Sequence, residues 1–401
     1  MTHALNWAGA LTVLGYASAG LALAGCTQSV IGAGLLAAFR RNERNILQQT
    51  PVDSSAQAPV TVLKPLHGDE PLLEEALRSF CEQDYAQYQI VFGVQRGDDP
   101  AIAIVRRLQQ DYPDLDLDLV IDGTTHGANR KIANLINMFP AARHDILVVS
   151  DSDIHVQRSY LRDVVQTLSA PKIGLVTTLY AGLAATRSVV RQFAASQINH
   201  NFMPGVMMSR LLGRQDCLGA TMAFTRATLD RIGGLQALAD HVADDAVLGQ
   251  LVRAHGQKIA LAPCLTWTTV AEASARDMID HELRWGRTVK NVEPVGYGLS
   301  AIQLPLFWAS VTLACFQATV WAEMFFLAVW MIRSATAFFI DRLVGQSSPA
   351  VYALFPLREW LSASIMVGSA RGQKVEWRGQ TLHIRRTVPV TPPVQPVEPG
   401  D

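Results

Sequence analysis

Two kinds of hydrophobic pattern divide the chain. Residues 5–39 hold no charged side chain, and Arg40, Arg41 and Arg44 follow directly. A helix needs about 20 apolar residues to span a bilayer, so this run can cross once. Arginines behind a span predict that the chain beyond it is cytoplasmic. A cleaved signal peptide would want a basic start, which residues 1–7 lack. The stretch LAGC at 23–26 also fits a lipoprotein cleavage box, an alternative weakened by the same missing charge.

A second apolar zone, 299–340, is interrupted only by Glu323 and Arg333. It suits two tight spans with Glu323 near the turn. A shorter patch at 361–368 follows Arg358 and Glu359. It is too short to span and reads as an interfacial segment. Behind it come Arg371, Lys374, Arg378, Arg385 and Arg386, a basic tail expected on the cytoplasmic side. The stretch TPPVQPVEPG at 391–400 is expected to be disordered.

Between these zones the period changes. VTVLKPL (60–66), QIVFGV (89–94), LDLVID (117–122) and DILVVS (145–150) predict strands. PLLEEALRSFCEQ (71–83), AIAIVRRLQQD (101–111), KIANLINMF (131–139) and DAVLGQLVRAHG (245–256) predict helices. Strand–helix alternation implies an α/β domain with a mostly parallel sheet. The expected organisation is an N-terminal transmembrane anchor over 1–45, the α/β domain over 59–291, membrane segments over 299–370, and a basic then Pro-rich cytoplasmic tail over 371–401. That makes a multi-pass protein of the inner (cytoplasmic) membrane whose α/β domain faces the cytoplasm.

Composition narrows the function. The 401 residues carry a formal net charge of -1, so no basic excess is available for a nucleic-acid partner. Hydrophobic content is 49% against 17% charged, which fits a lipid-bilayer partner. The five cysteines, Cys26, Cys81, Cys217, Cys264 and Cys315, are widely spaced, with no CxxC pair. Zinc and a disulfide framework are both disfavoured.

Ligands of open α/β sheets bind outside the carboxyl ends of the strands. Asp151 and Asp153 follow DILVVS there, and alternate residues of extended chain point to one side. Two such carboxylates can share a divalent metal of the Mg²⁺ type that rides on substrate phosphates. The alternative is an aspartate turn capping the helix near Ser159. Asp98 and Asp99 follow QIVFGV, where a carboxylate could hold a nucleobase or ribose; the alternative is a helix N-cap before Pro100. Asp244 and Asp245 open a helix, and two adjacent acids exceed what a favourable first-turn charge requires. Lys131, with Asn129 nearby, is a candidate donor contact or a plain surface lysine. Arg284 and Trp285 in HELRWGR (281–287) could pair with phosphate and stack on a sugar; the alternative is an interfacial belt. His200 in QINHNF is a candidate acceptor contact or a satisfied core histidine, and His67 is a weaker one.

These stretches resemble one family, the ceramide glucosyltransferase-like, membrane-bound inverting glycosyltransferases. The resemblance rests on VLKPLHGDEP (62–71), DDPA (98–101), HGANRKIANL (126–135), SDSDI (150–154), GGL (233–235), the Asp244–Asp245 pair and the Arg284–Trp285 pair. A bacterial branch, the hopanoid-biosynthesis glycosyltransferases, is similar to the same degree. The family pattern of three separated acids and a Gln/Arg-x-x-Arg-Trp motif falls on Asp99, Asp151, Asp245, Arg284 and Trp285. His281 stands where Gln or Arg is usual, and the DSD is fuller than the DSG of some members.

The resemblance implies a GT-A nucleotide-sugar-binding domain with flanking transmembrane helices, a UDP-sugar donor and a membrane lipid acceptor, either ceramide or a hopanoid polyol. It implies Asp99, with Asp98, at the uridine, and Mg²⁺ or Mn²⁺ on Asp151 and Asp153. Lys131, Arg284 and Trp285 would contact the donor, Asp245 would be the general base, and Asp244 and His200 would lie on the acceptor side. A processive polysaccharide synthase or a polyprenyl-phosphate sugar transferase would share much of this pattern.

Overall fold

The computed structural model describes residues 2–49, 57–346, 348–370, 374–377 and 380–383. Its centre is one eight-stranded sheet. The strands are β1 (Val60–Pro65), β2 (Tyr88–Val94), β3 (Asp116–Ile121), β4 (Ile146–Ser150), β5 (Ile154–His155), β6 (Ile173–Ala184), β7 (Thr221–Thr225) and β8 (Lys258–Val270). Their order across the sheet is β3-β2-β1-β4-β7-β6-β8-β5.

The four strands expected from the sequence pair in parallel, with Val62 opposite both Ile90 and Val148. β1, β2 and β4 are buried on both faces, which is why they read as unbroken apolar runs, whereas β3 alternates and buries only Leu117. The other half departs from a mostly parallel sheet. β7 lies antiparallel to β4 and β6, and β5 antiparallel to β8, while β6 and β8 run parallel. The sheet is mixed, and β7 joins its two halves.

Helices cover both faces. Leu73–Cys81 turns Leu77 and Phe80 into one core cluster, and Arg130–Met138 turns Ile132 and Leu135 into the other. The first of these starts two residues later than the proline at 71 suggests. Leu72 takes φ +59°, a left-handed conformation that holds it outside the helix.

The N-terminal helix, Thr2–Gln49, runs on through its three arginines. Among the described residues two helices, Gly9–Asn45 and Val320–Val344, are long and apolar enough to cross a membrane. A third span is possible if Pro294–Gln303 and Pro305–Cys315, bent by 64° at their break, count as one. Gly25 admits the close approach of that bent pair, since a side chain there would collide with Ile302 O. Glu323 lies in the first turn of Val320–Val344, just past the turn at Gln317 and Ala318.

The membrane-side helices are tied to the sheet. Arg40 Nε donates to Leu343 O at 3.1 Å, and Glu43 Oε1 accepts from Leu265 N at 3.1 Å and Gln157 Nε2 at 2.5 Å. Trp267 Nε1 donates to Val344 O at 3.1 Å. Both of these long apolar helices therefore end on the same side, against the α/β domain.

The patch at 361–368 belongs to a longer helix, Pro349–Ala370. Arg358 and Glu359 lie inside that helix, each 1% exposed, instead of flanking it. Within the basic tail, Lys374–Trp377 and Gln380–His383 pair as antiparallel strands. Arg371, Arg378, Arg385, Arg386 and the Pro-rich 391–400 lie outside the described residues.

Candidate active site

One cavity of about 680 Å³ opens at the carboxyl ends of β1, β2 and β4. Asp151, Asp153, Asp244, Asp245, Lys131, Arg284 and Trp285 all line it. Each arrives by a different local route. Asp151 and Asp153 follow β4, and the backbone beyond them returns as β5 to pair with β8. Lys131 lies in the first turn of Arg130–Met138, whose N-cap Asn129 accepts from Ile132 N. Asp244 and Asp245 start the helix Asp244–Ala254. Arg284 and Trp285 lie on Ala275–Val292, begun by a capping box between Ser274 and Asp277.

Lys131 is the hub. Its Nζ lies 2.6 Å from Asp151 Oδ1 and 3.4 Å from Asp244 Oδ2. Burial pulls this ammonium down, but Asp151 and Asp244 together hold it above its ordinary range. Asn129 Nδ2 reaches Asp244 Oδ1 at 3.4 Å. Asp245 is pushed up to about 6, first by burial and then by Asp244, with Lys131 opposing. Gly219 lets that carboxylate sit close, since a Cβ there would lie 3.1 Å from Asp245 Oδ2.

Asp153 is also pushed up to about 6, by burial and then by Asp151. Thr268 Oγ1 donates to its Oδ2 at 2.5 Å and opposes the rise. Trp285 packs on Phe202 with centroids 5.3 Å apart, and Phe202 on Tyr180 at 4.8 Å, so Phe202 joins two aromatic residues that line the cavity. His281 lines the cavity too, and its Nδ1 pairs with Glu272.

Three expected site residues are not brought to the cavity. Asp98 is exposed and paired with Arg96 at 2.6 Å. Asp99 is buried, but its carboxylate accepts from Gly68 N at 3.0 and 3.1 Å and from Ala101 N at 3.0 Å. That is close to the capping alternative, with the added effect of fixing the loop after β1; His67 Nδ1 stands 3.8 Å away. His200 is 3% exposed, and its Nε2 lies 2.7 Å from Asp341 Oδ1. It is a paired core histidine rather than an acceptor contact.

Two residues were absent from the sequence expectations. Glu70, after β1, lines the cavity and accepts from Ser152 Oγ at 2.5 Å. Applying the strand-end rule to β1 would have found it. Lys64 is fully buried beneath the acids, bonded to Asp151 O and 4.0 Å from the Phe80 ring centroid. Burial lowers it to about 7, against the pull of Asp153 and Asp151. A lysine inside an apolar strand gives no sequence signal of its partners.

Carboxylates gathered around a few cations at strand ends suit group transfer from a charged donor. A match over residues 21–388 to the family model described as glycosyl transferase family 21 makes this specific, and the chain belongs to that family. It is similar to ceramide glucosyltransferase 3 of Caenorhabditis elegans, 22% identical over 85% of this chain and 76% of the relative. The ceramide glucosyltransferase of Komagataella phaffii is 32% identical over 27% of this chain and 22% of the relative. Among solved structures, a mannosyltransferase from Pyrobaculum calidifontis in complex with GDP-Man and Mn²⁺ is 20% identical. It covers 87% of this chain and 97% of that one, with a TM-score of 0.46.

Proposed function

We propose that this chain moves one sugar, glucose or N-acetylglucosamine, from its UDP donor to a hydroxyl of a membrane lipid, ceramide or a hopanoid polyol, with inversion. One observation carries the reading: Asp245, the Asp151–Asp153 pair and Arg284–Trp285 come from separate stretches yet line one cavity, whose Thr268 follows the Trp267 that bonds to the end of a membrane-length helix. The relatives' names supply the lipid and the glucose.

The residues fit the divalent metal that the resemblance implies. Asp153 is repelled by Asp151 and Glu70, an excess of negative charge that a cation would relieve. The donors are hard oxygens, suited to Mg²⁺ or Mn²⁺. Among the described residues no three-ligand cage converges, so an ion held by Asp151 and Asp153 would need substrate phosphates and water to complete its shell. Asp151 and Asp153 would hold the ion, which neutralises charge on the leaving diphosphate when bound.

Asp245 accepts the proton of the lipid hydroxyl. The freed oxygen bonds to the anomeric carbon as the bond to the diphosphate breaks, and UDP leaves from the opposite face. Lys131 and Arg284 stabilise the charge that builds on the diphosphate. Trp285 bounds the sugar. Asp244 shares Lys131 with Asp151 and so sets the position of the base. Asp99 orders the loop after β1 near the nucleoside end. Arg40, Arg41 and Arg44, at the domain end of the first span, support a cytoplasmic α/β domain in an inner-membrane protein.

The test is mass spectrometry of lipids from a host making this chain, supplied separately with ceramide and with a polyol hopanoid. A single hexose on ceramide or a single N-acetylhexosamine on the hopanoid supports the proposal and selects the branch. A ladder of sugars, or no product beyond that of Asp245→Asn, overturns it.

A further inference from the structure

The helix that carries Arg284 and Trp285 has two working faces. His281, Arg284, Trp285 and Thr288 line the cavity. Glu282, Gly286 and Lys290, spaced by four, meet the helix Pro349–Ala370 instead. Arg358 Nη2 donates to Glu282 Oε2 at 2.8 Å. A Cβ on Gly286 would stand 2.5 Å from Ser369 Oγ, and one on Gly368 3.0 Å from Leu283 Cδ2. Lys290 Nζ donates to Ala370 O at 3.2 Å.

The rest of this helix is thinly buried, with Met278 and Gly286 its only buried residues. Its placement therefore rests largely on Pro349–Ala370. That helix is in turn fixed to the candidate spans. Glu359 Oε1 pairs with Arg333 Nε at 3.0 Å, and its Oε2 accepts from Leu306 N at 2.6 Å and Phe307 N at 3.2 Å. Arg333 Nη1 also donates to His200 O at 3.1 Å, anchoring the π-helical turn that presents Phe202 to Trp285.

We propose that the buried Arg358–Glu282 ion pair is a positioning device: it carries the placement of the membrane-side helices to Arg284 and Trp285. The pair is enclosed, with Arg358 2% and Glu282 12% exposed in their side chains. Gln197 Oε1 shares the same guanidinium at 2.8 Å, and the Phe193 ring lies 5.2 Å beneath it. Removing one partner strands a buried charge, and the helix must move to rehydrate it. A shift of about 1 Å at a positioned group can cost about 10²-fold in rate. The inference rests on the proposed role of Arg284 for its kinetic part only.

The experiment compares Arg358→Met, Glu282→Gln and the exchanged pair Arg358→Glu with Glu282→Arg, in full-length protein held in lipid nanodiscs. Hydrogen exchange of residues 275–292 and single-turnover transfer are both read. The expected result is faster exchange confined to that helix and a 10- to 100-fold lower turnover in each single variant. Both should recover at least in part in the exchanged pair. Arg284→Ala combined with Glu282→Gln should be no slower than Arg284→Ala alone, because the pair acts through Arg284. Wild-type exchange and turnover in Glu282→Gln overturns the proposal, as does a multiplicative loss in the combined variant or loss of protection throughout the α/β domain. A wild-type chain that transfers no sugar sinks the proposed function but leaves the exchange comparison decisive for the pair.

Discussion

Lys131 Nζ sits 2.6 Å from Asp151 Oδ1, and the same ammonium reaches the Asp244 carboxylate, so one cation joins the end of β4 to the start of the helix Asp244–Ala254. Lys131 also lowers Asp245 against burial and Asp244. Lys131→Met should therefore raise the Asp245 pKa and move the acid limb of the rate profile to higher pH. A pH–rate comparison checks this; an unmoved limb would detach Lys131 from the base.

Asp245→Asn should keep donor affinity and lose about 10²–10⁴-fold in turnover. Calorimetric titration with the UDP-sugar and a single-turnover assay separate the two. As the proposed base, Asp245 must be ionised in the unaltered chain, so with a pKa of about 6 the rate should fall about tenfold per unit below that pH. The sign for stability is opposite. A carboxyl whose pKa is raised on folding penalises the folded state above about pH 6, and the penalty fades towards its unfolded value near 3.8. Asp245→Asn should thus raise Tm at neutral pH, with the gain vanishing below about pH 4.

Asp151→Asn and Asp153→Asn should each raise the Mg²⁺ or Mn²⁺ concentration needed for half-maximal rate by at least about tenfold, because each removes one of few anionic ligands. Metal titration of turnover reads this directly. Rates that stay independent of metal in the wild type and in both variants would remove the ion from the proposal.

His200 packs against Asp341 and the Phe355 ring, away from the cavity. His200→Ala should cost about 1–3 kcal/mol of stability by leaving a buried carboxylate short of a partner. The KM for the lipid should stay where it is. A raised lipid KM with unchanged Tm would restore His200 to the acceptor side.

The sequence alone determined where carboxylates stand at the strand ends. β1, β2 and β4 are buried on both faces, so each is an apolar run with a sharp polar end, while the edge strand β3 alternates. The acids beyond β4, and the acid pair that opens Asp244–Ala254, were legible because carboxylates after such runs have few structural reasons to be there. The resemblance added Arg284–Trp285, which an interfacial belt would otherwise have explained.

Tertiary structure decided what those residues touch. Asp99 and Asp153 look alike in sequence, each an acid just past a strand. Backbone N–H groups of Gly68 and Ala101 occupy one, while the other faces the cavity among like charges. β6 and β8 pair over ten or more residues, but Thr, Gly and Pro interrupt their apolar runs, and only their pairing places Tyr180 and Thr268 on the site. Arg358 and Glu359 read as flanking charges because a charge is normally excluded from an apolar helix. They lie inside one where Glu282, Arg333 and the start of Pro305–Cys315 pair with them, and those partners are 26 to 76 residues away in the chain. Short-range pattern reports burial and period; it carries no record of which distant charge completes a buried pair.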